Sequence, residues 1–379
     1  MVKDFSDYRE EFPIIREYVF FNNAAISAPP MRVVSAVGNL LHQFSHDGLT
    51  FYPQWMGQVD GTRSLFARLI NAEPEEICFT GNTSDGISAV AGGIDWKPGS
   101  RVLLVYPDFP SNVYPWLNLR RFGVEVDYVR RTNGRFSARD VESALRPETR
   151  LLAVSSTDFS SGFYCDLEEL GALCGRKGIL FCVDAIQSLG AVPMDVKRFG
   201  IHFLAAGGHK WLLSQMGIGA LFISREVNGM VHPVRVGWRS VEDEENFQDL
   251  NFRLKADARR FETGTLNIPG ITALGASLEL LLEIGIERIH ARILEINDAL
   301  MAELTRRNFA IISPMEREHR AGILSFLPPD AAGLFRYFLD NGVLVSQRGE
   351  AIRLSPHFYN NGDDIGSFFR IFDRYLKDR

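Results

Sequence analysis

Between residues 76 and 224 the chain alternates short, continuously apolar runs with segments of helical periodicity. The runs are EICFT, RVLLVY, VEVDYV, RLLAVSS, ILFCVDAI, FLAAGG and GALFIS. A strand with one face in water alternates apolar and polar residues. Most of these runs do not, so they predict strands covered on both faces. Helix-like stretches such as SARDVESALR and DLEELGALCGRKG lie between them, the second closing on a glycine where a helix stops. The rhythm predicts an α/β fold, a mostly parallel sheet of about seven strands with helices on both sides.

The remainder sets the domain organisation. A chain of 379 residues exceeds one ordinary compact core. We read residues 1–20 as an N-terminal segment, 21–270 as the large domain and 271–379 as a smaller α+β domain. Residues 241–260 are dense in mixed charge and read as an exposed loop. The stretch PGITALGASLELLLEIGIERIHARILEINDALMAELTRRN reads as a long helix with a break near Gly285. A net charge of −6 gives no electrostatic reason to expect nucleic acid. No run reaches the roughly 18 to 20 apolar residues of a membrane span, and MVKDFSDYREEF lacks a signal-peptide core. A cytoplasmic location with no membrane or nucleic-acid partner is the expectation. Cys78, Cys165, Cys174 and Cys182 form no CxxC pair and no metal-ligand spacing, and are expected to be reduced, buried thiols.

Ligands of such sheets sit outside the carboxyl ends of the strands. There ILFCVDAIQ supplies Asp184 and Gln187, and FLAAGGHK supplies His209 and Lys210. EICFT runs into GNTSDGIS, and RVLLVY into PDFPSN. Together these meet the demands of pyridoxal phosphate. An aldehyde needs a lysine amine for an imine, and apolar surroundings lower that amine's pKa. The ring nitrogen needs a carboxylate to keep it protonated. The phosphate needs N–H groups and hydroxyls at a helix start, where Thr83 and Ser84 stand. Phe109 can stack on the ring. Each part alone has an ordinary reading: a solvated lysine, a helix cap, a core aromatic, a turn. Neither a P-loop nor a dinucleotide fingerprint is present.

VDAIQSLGAVPMDV, followed by GGHK with its lysine 26 residues after Asp184, resembles the class V aminotransferase group of fold-type I pyridoxal-phosphate enzymes. That group includes cysteine desulfurases, kynureninases and isopenicillin-N epimerase-like proteins. VFFNNAAIS, TGNTSDGIS, DFPSNVYPW, SSTDFSSGFYCDL and RFETGTLNIPG extend the likeness over nearly the whole chain. The resemblance implies pyridoxal 5'-phosphate tethered to Lys210, with Asp184 on the pyridinium proton and Gln187 on the phenolic oxygen. It further implies Thr83, Ser84 and His209 as phosphate or cofactor-edge contacts, and Phe109 as the stacking ring. Thr265, in FETGT, would reach the phosphate of a second subunit, in a homodimer with its active site at the interface. Arg353, in AIRLSPHFYN, would clamp the carboxylate of an amino-acid substrate, with Asn23 as a further substrate contact. Two departures stand out. Gly207 occupies a position where several relatives have a phosphate-binding serine. Asp158 falls near where relatives place an asparagine beside the cofactor's oxygen and is taken as a cofactor contact. A carboxylate there would be repelled by that oxygen, so either the register is shifted or Asp158 is protonated or turned away.

In this reading the freed lysine takes the substrate's α-proton as general base. Transamination, C–S lysis, epimerisation and kynureninase-like hydrolysis all remain open. No cysteine lies beyond Cys182, and Ser346 and Gln347 occupy the neighbourhood where desulfurases carry their sulfur acceptor. A persulfide-forming desulfurase is therefore not expected. Readings from other classes are a nicotinamide-dependent dehydrogenase, which lacks its fingerprint, and a cofactor-less binding protein on the same fold.

Overall fold

The computed structural model describes residues 3–132, 134–248 and 250–377. A short first strand, β1 (Val19–Phe20), precedes the seven strands of the main sheet. These are β2 (Ile77–Thr80), β3 (Arg101–Tyr106), β4 (Glu125–Arg130), β5 (Thr149–Ser155), β6 (Leu180–Asp184), β7 (Phe203–Gly207) and β8 (Gly219–Ile223). Their order is β2-β8-β7-β6-β5-β3-β4, and only β8 runs antiparallel to its neighbours. Each of the seven apolar runs is one of these strands. All but the edge strand β4, which is largely uncovered, lack apolar–polar alternation because both faces are covered. Val102, Leu104, Leu151, Ala153 and Cys182 pack into one layer, and Leu103, Val105, Leu152, Val154, Phe181 and Val183 into the other.

The connecting helices are fixed locally. The helix Ala138–Ala144 starts from a reciprocal Ser137–Asp140 capping box. The helix Leu167–Lys177 starts where the Asp166 side chain accepts from the Glu169 N–H, and ends at Gly178 with φ of 64°. The long C-terminal stretch is two helices, Ile268–Ile284 and Ile286–Arg306, bent by 79° at Gly285. Among the described residues no single helix is long and apolar enough to cross a membrane. The described residues between 241 and 257 form no helix or strand. Val241 bridges Leu254, and Phe247, Leu250 and Phe252 are exposed.

The second sheet contains β9 (Ala310–Ile311), β10 (Leu324–Leu327), β12 (Ser346–Arg348) and β13 (Ala351–Leu354), ordered β12-β13-β10-β9 and antiparallel throughout. The short strand β11 (Val343–Leu344) pairs in parallel with β1, so the start of the chain is stitched to its last third. The main-sheet core continues through Ile284, Ile289 and Ile293. The core of the smaller sheet begins at Ile296 with Leu300, Phe326, Phe338 and Phe372. The two cores thus divide within the helix Ile286–Arg306, later than the position near 270 read from the sequence.

Gly322, at the seam between the cores, has no room for a side chain. A Cβ there would lie 2.0 Å from the ring of Trp211, which is fully buried one residue after Lys210. Gly322→Ala is expected to destabilise the protein by about 1–3 kcal/mol through overpacking. The drop appears as a lowered thermal midpoint.

Candidate active site

The carboxyl ends of β3, β5, β6 and β7 lie side by side, and the residues that follow them form the site. Asp184 closes β6 and is almost fully buried. Its Oδ1 accepts the Ile186 N–H at 3.0 Å, while Oδ2 is buried with no hydrogen-bond partner. Burial pushes this carboxyl's pKa far up, the Ile186 bond opposes that, and the charge of nearby Asp108 adds to it. A buried carboxylate oxygen is costly when left alone. This one is satisfied when a protonated ring nitrogen stands opposite it.

Lys210 follows β7 in a tight loop. Its carbonyl accepts from the Ser27 hydroxyl at 2.6 Å and from the Leu213 N–H at 2.9 Å, so the backbone is held on two sides. The side chain is half-buried, and Nζ lies 5.6 Å from the centre of the Phe109 ring. Burial lowers the amine's pKa. Asp184 counters this, and the positive charges of Arg353 and Arg348 reinforce it. A larger neutral fraction at physiological pH is what an attacking amine or a proton acceptor needs.

The phosphate end also has its parts. Thr83 is the first residue of the helix Thr83–Gly93, which is capped by the Asn82 side chain accepting from the Asp85 N–H. The Thr83 hydroxyl oxygen accepts the Gly207 N–H at 3.0 Å, and Ser84 Oγ donates to Ser111 Oγ at 2.7 Å. The helix start thus offers N–H groups and hydroxyls together. A Cβ at Gly207 would meet Ile186 at 3.0 Å and the His209 ring at 3.2 Å, so the serine of other relatives would crowd this histidine. Burial first, and the Lys210 charge second, lower the pKa of His209 and favour its neutral form.

Gln187 is pinned between β6 and the N-terminal segment. Its Nε2 donates to the Ala24 carbonyl, and its Oε1 accepts the Trp211 indole N–H, both at 3.1 Å. That leaves one amide N–H for the cofactor's oxygen. Arg353, on β13, is 1% exposed, yet has no carboxylate partner among the described residues. Nη1 donates to the Phe159 carbonyl at 2.6 Å, and Nε is buried without a partner. Burial, then the charge of Arg348, lowers its pKa.

Two expectations change. Asn23 is fully buried, with Nδ2 donating to the Ser355 carbonyl and Oδ1 accepting from the Tyr359 hydroxyl, both at 2.9 Å. Its amide joins the two ends of the chain and does not reach for substrate. Asp158 is turned away from the cofactor. Oδ1 accepts from the Ser160 and Ser161 N–H groups, and Oδ2 pairs with Arg131 at 2.7 Å. Thr265 is exposed and stands near Thr80, Gly81 and Arg235.

Asp108 and Ser155 were not singled out from the sequence. Asp108 accepts from Ser155 Oγ at 2.8 Å, Asn112 Nδ2 at 2.9 Å and the Phe109 N–H at 2.7 Å. It therefore fixes the aromatic ring's backbone while placing a second acid near Asp184. Burial raises its pKa. Its position directly before Phe109 was the available signal.

The orphaned Asp184 oxygen, the amine under an aromatic ring and the hydroxyl-bearing helix start fit pyridoxal phosphate. All four cysteines, by contrast, lie in the cores, their pKa values raised by burial.

The aminotransferase class-V family model matches residues 19–364. A probable cysteine desulfurase of Methanothermobacter thermautotrophicus is 31% identical, with 95% of each chain covered. The apo structure of a cysteine desulfurase from Thermococcus onnurineus matches with a TM-score of 0.92 and 25% identity over the whole of both chains. A complex of the cystine C–S lyase C-DES with cysteine persulfide matches with a TM-score of 0.89 and 23% identity, covering 95% of this chain and 98% of that one. The expectation against a desulfurase, drawn from the lack of a late cysteine, finds no support in these relatives. The fold is the expected fold type I, and the family's cofactor is pyridoxal 5'-phosphate. With its sheet, its lysine and its matched length all in agreement, the chain belongs to the class-V aminotransferase family of pyridoxal-phosphate enzymes.

Proposed function

We propose that this enzyme cleaves the carbon–sulfur bond of a cysteine-type amino acid, with Lys210 taking the α-proton. The observation that carries the proton transfer is the Lys210 amine itself. It is half-buried, has no hydrogen-bond acceptor among the described residues, and has its pKa lowered by burial and by two arginines. The sulfur assignment is supported by the relatives named as probable cysteine desulfurases.

When bound, the cofactor's pyridine ring spreads the negative charge that develops on the α-carbon. The chain supplies the rest. Asp184 Oδ2 would hold the ring nitrogen's proton, and Phe109 would stack on the ring. Arg353 grips the substrate carboxylate and so aims the α-hydrogen at Lys210 Nζ. The reading includes a homodimer in which Thr265 serves the partner's phosphate site, a point that light scattering of the holoenzyme tests.

Incubating the holoenzyme with a panel of amino acids tests the reaction. Pyruvate and ammonia with sulfide from cysteine or with cysteine persulfide from cystine, or alanine with thiol-bound sulfur, support it. Pyridoxamine with an oxo acid, or inverted configuration, without any sulfur product overturns it. Arg353→Gln is expected to raise the amino-acid KM roughly 10- to 100-fold, because a charge-assisted contact is lost. Cofactor affinity should change far less, and parallel titrations of both ligands check this.

A further inference from the structure

Two arginine charges, not one, act on the Lys210 amine. In the β12–β13 hairpin Ser346 faces Arg353, and Arg348 faces Ala351. Residues two apart on a strand share a face. Arg348 and Arg353 therefore project from the same face as diagonal neighbours, roughly 7–8 Å apart. Among the described residues neither has an acidic partner, and the one hydrogen bond of Arg348 is from Nη1 to the Gln347 carbonyl at 2.9 Å. Both charges are felt at the Lys210 amine, and that of Arg348 is felt at Arg353, where Asp158 partly offsets it.

Like charges crowded into a half-buried pocket are unfavourable unless a ligand neutralises them. A simple amino acid brings one carboxylate, and a single planar fork holds it. Arg353, deeper and fully buried, is placed for that carboxylate. Arg348 then retains free N–H groups at the half-exposed end of the same face. The cofactor's phosphate does not use them, because its donors stand at the helix Thr83–Gly93 on the main sheet.

We propose that Arg348 selects amino acids whose side chain ends in a second acidic group. In the C–S reading the substrate class is an S-substituted cysteine with a terminal carboxylate. The sulfur part of this statement rests on the function proposed above, and the charge part rests on the hairpin alone.

The test compares S-carboxyethyl-cysteine with its uncharged amide on the holoenzyme. The acid is expected to have a kcat/KM roughly 10- to 100-fold higher, as one charge-assisted contact dictates. Arg348→Gln should bring that ratio close to one while the cofactor's visible band keeps its position. A ratio near one in the unaltered enzyme, or a ratio that survives Arg348→Gln, overturns the proposal. A binding arm separates the two readings. Glutamate and glutamine, which contain no sulfur, are titrated against the visible band of both proteins. Preference for glutamate that disappears in Arg348→Gln supports the selection even if no sulfur substrate is ever cleaved. Sulfur cleavage without any acid preference defeats the selection alone.

Discussion

Lys210→Ala yields a folded protein that binds pyridoxal phosphate only reversibly. Borohydride treatment then leaves no cofactor mass on the peptide containing residue 210, and turnover falls by at least about 10²- to 10⁴-fold, the range for losing a general base. The fold should survive because the carbonyl of residue 210, not its amine, makes the contacts to Ser27 and Leu213. Burial disfavours the lysine's charge more than Asp184 favours it, so its removal should cost the fold little. Circular dichroism and a thermal scan confirm the fold, and mass spectrometry after reduction reads the attachment. Retention of the reduced adduct on this peptide's neighbours would place the nucleophile elsewhere.

Asp184→Asn separates the chemistry from stability in opposite directions. Turnover should fall by about 10²- to 10³-fold, since a neutral amide cannot hold the ring nitrogen's proton. Without cofactor the variant should be the more stable protein at alkaline pH. The folded-state pKa of Asp184 lies above its unfolded value, so the folded chain binds more protons between the two. Stability from the protonated acid is present at low pH and is lost as pH rises toward the raised pKa. Asparagine avoids that loss and keeps an oxygen for the Ile186 N–H. The two apo proteins should have similar thermal midpoints near pH 4 and diverge as pH rises. A constant gap across that range would show that the carboxylate is not desolvated. Cofactor should narrow the gap by giving Asp184 a cation to face.

Strand positions were readable because burial on both faces leaves a purely local mark, a run without alternation. The direction of β8 was readable too, since residues 208–218 are too few for the crossover a parallel strand needs. The lysine and the acid were visible because strand ends are where such sheets hold ligands. What sequence did not reveal was partnership. Asn23 looks like a free amide until Ser355 and Tyr359 close on it from the far end of the chain. Asp158 looks like a misplaced charge until Arg131 neutralises it. Asp108 and Ser155 matter through the lateral register of β3, β5 and β6, which side-chain patterning along one strand does not encode.

The pairing of β1 with β11, and of Asn23 with Ser355, bears on how the enzyme is made. A ribosome adding about 5–20 residues per second leaves the first strand waiting for tens of seconds before its mate emerges. Throughout that interval Asn23, whose amide oxygen accepts from Ser27 beside the lysine loop, lacks the Ser355 and Tyr359 groups that fix it. A nascent or prematurely released polypeptide thus carries its reactive amine in an unfinished cradle, and stable vitamin capture is expected only after translation has delivered the last hairpin.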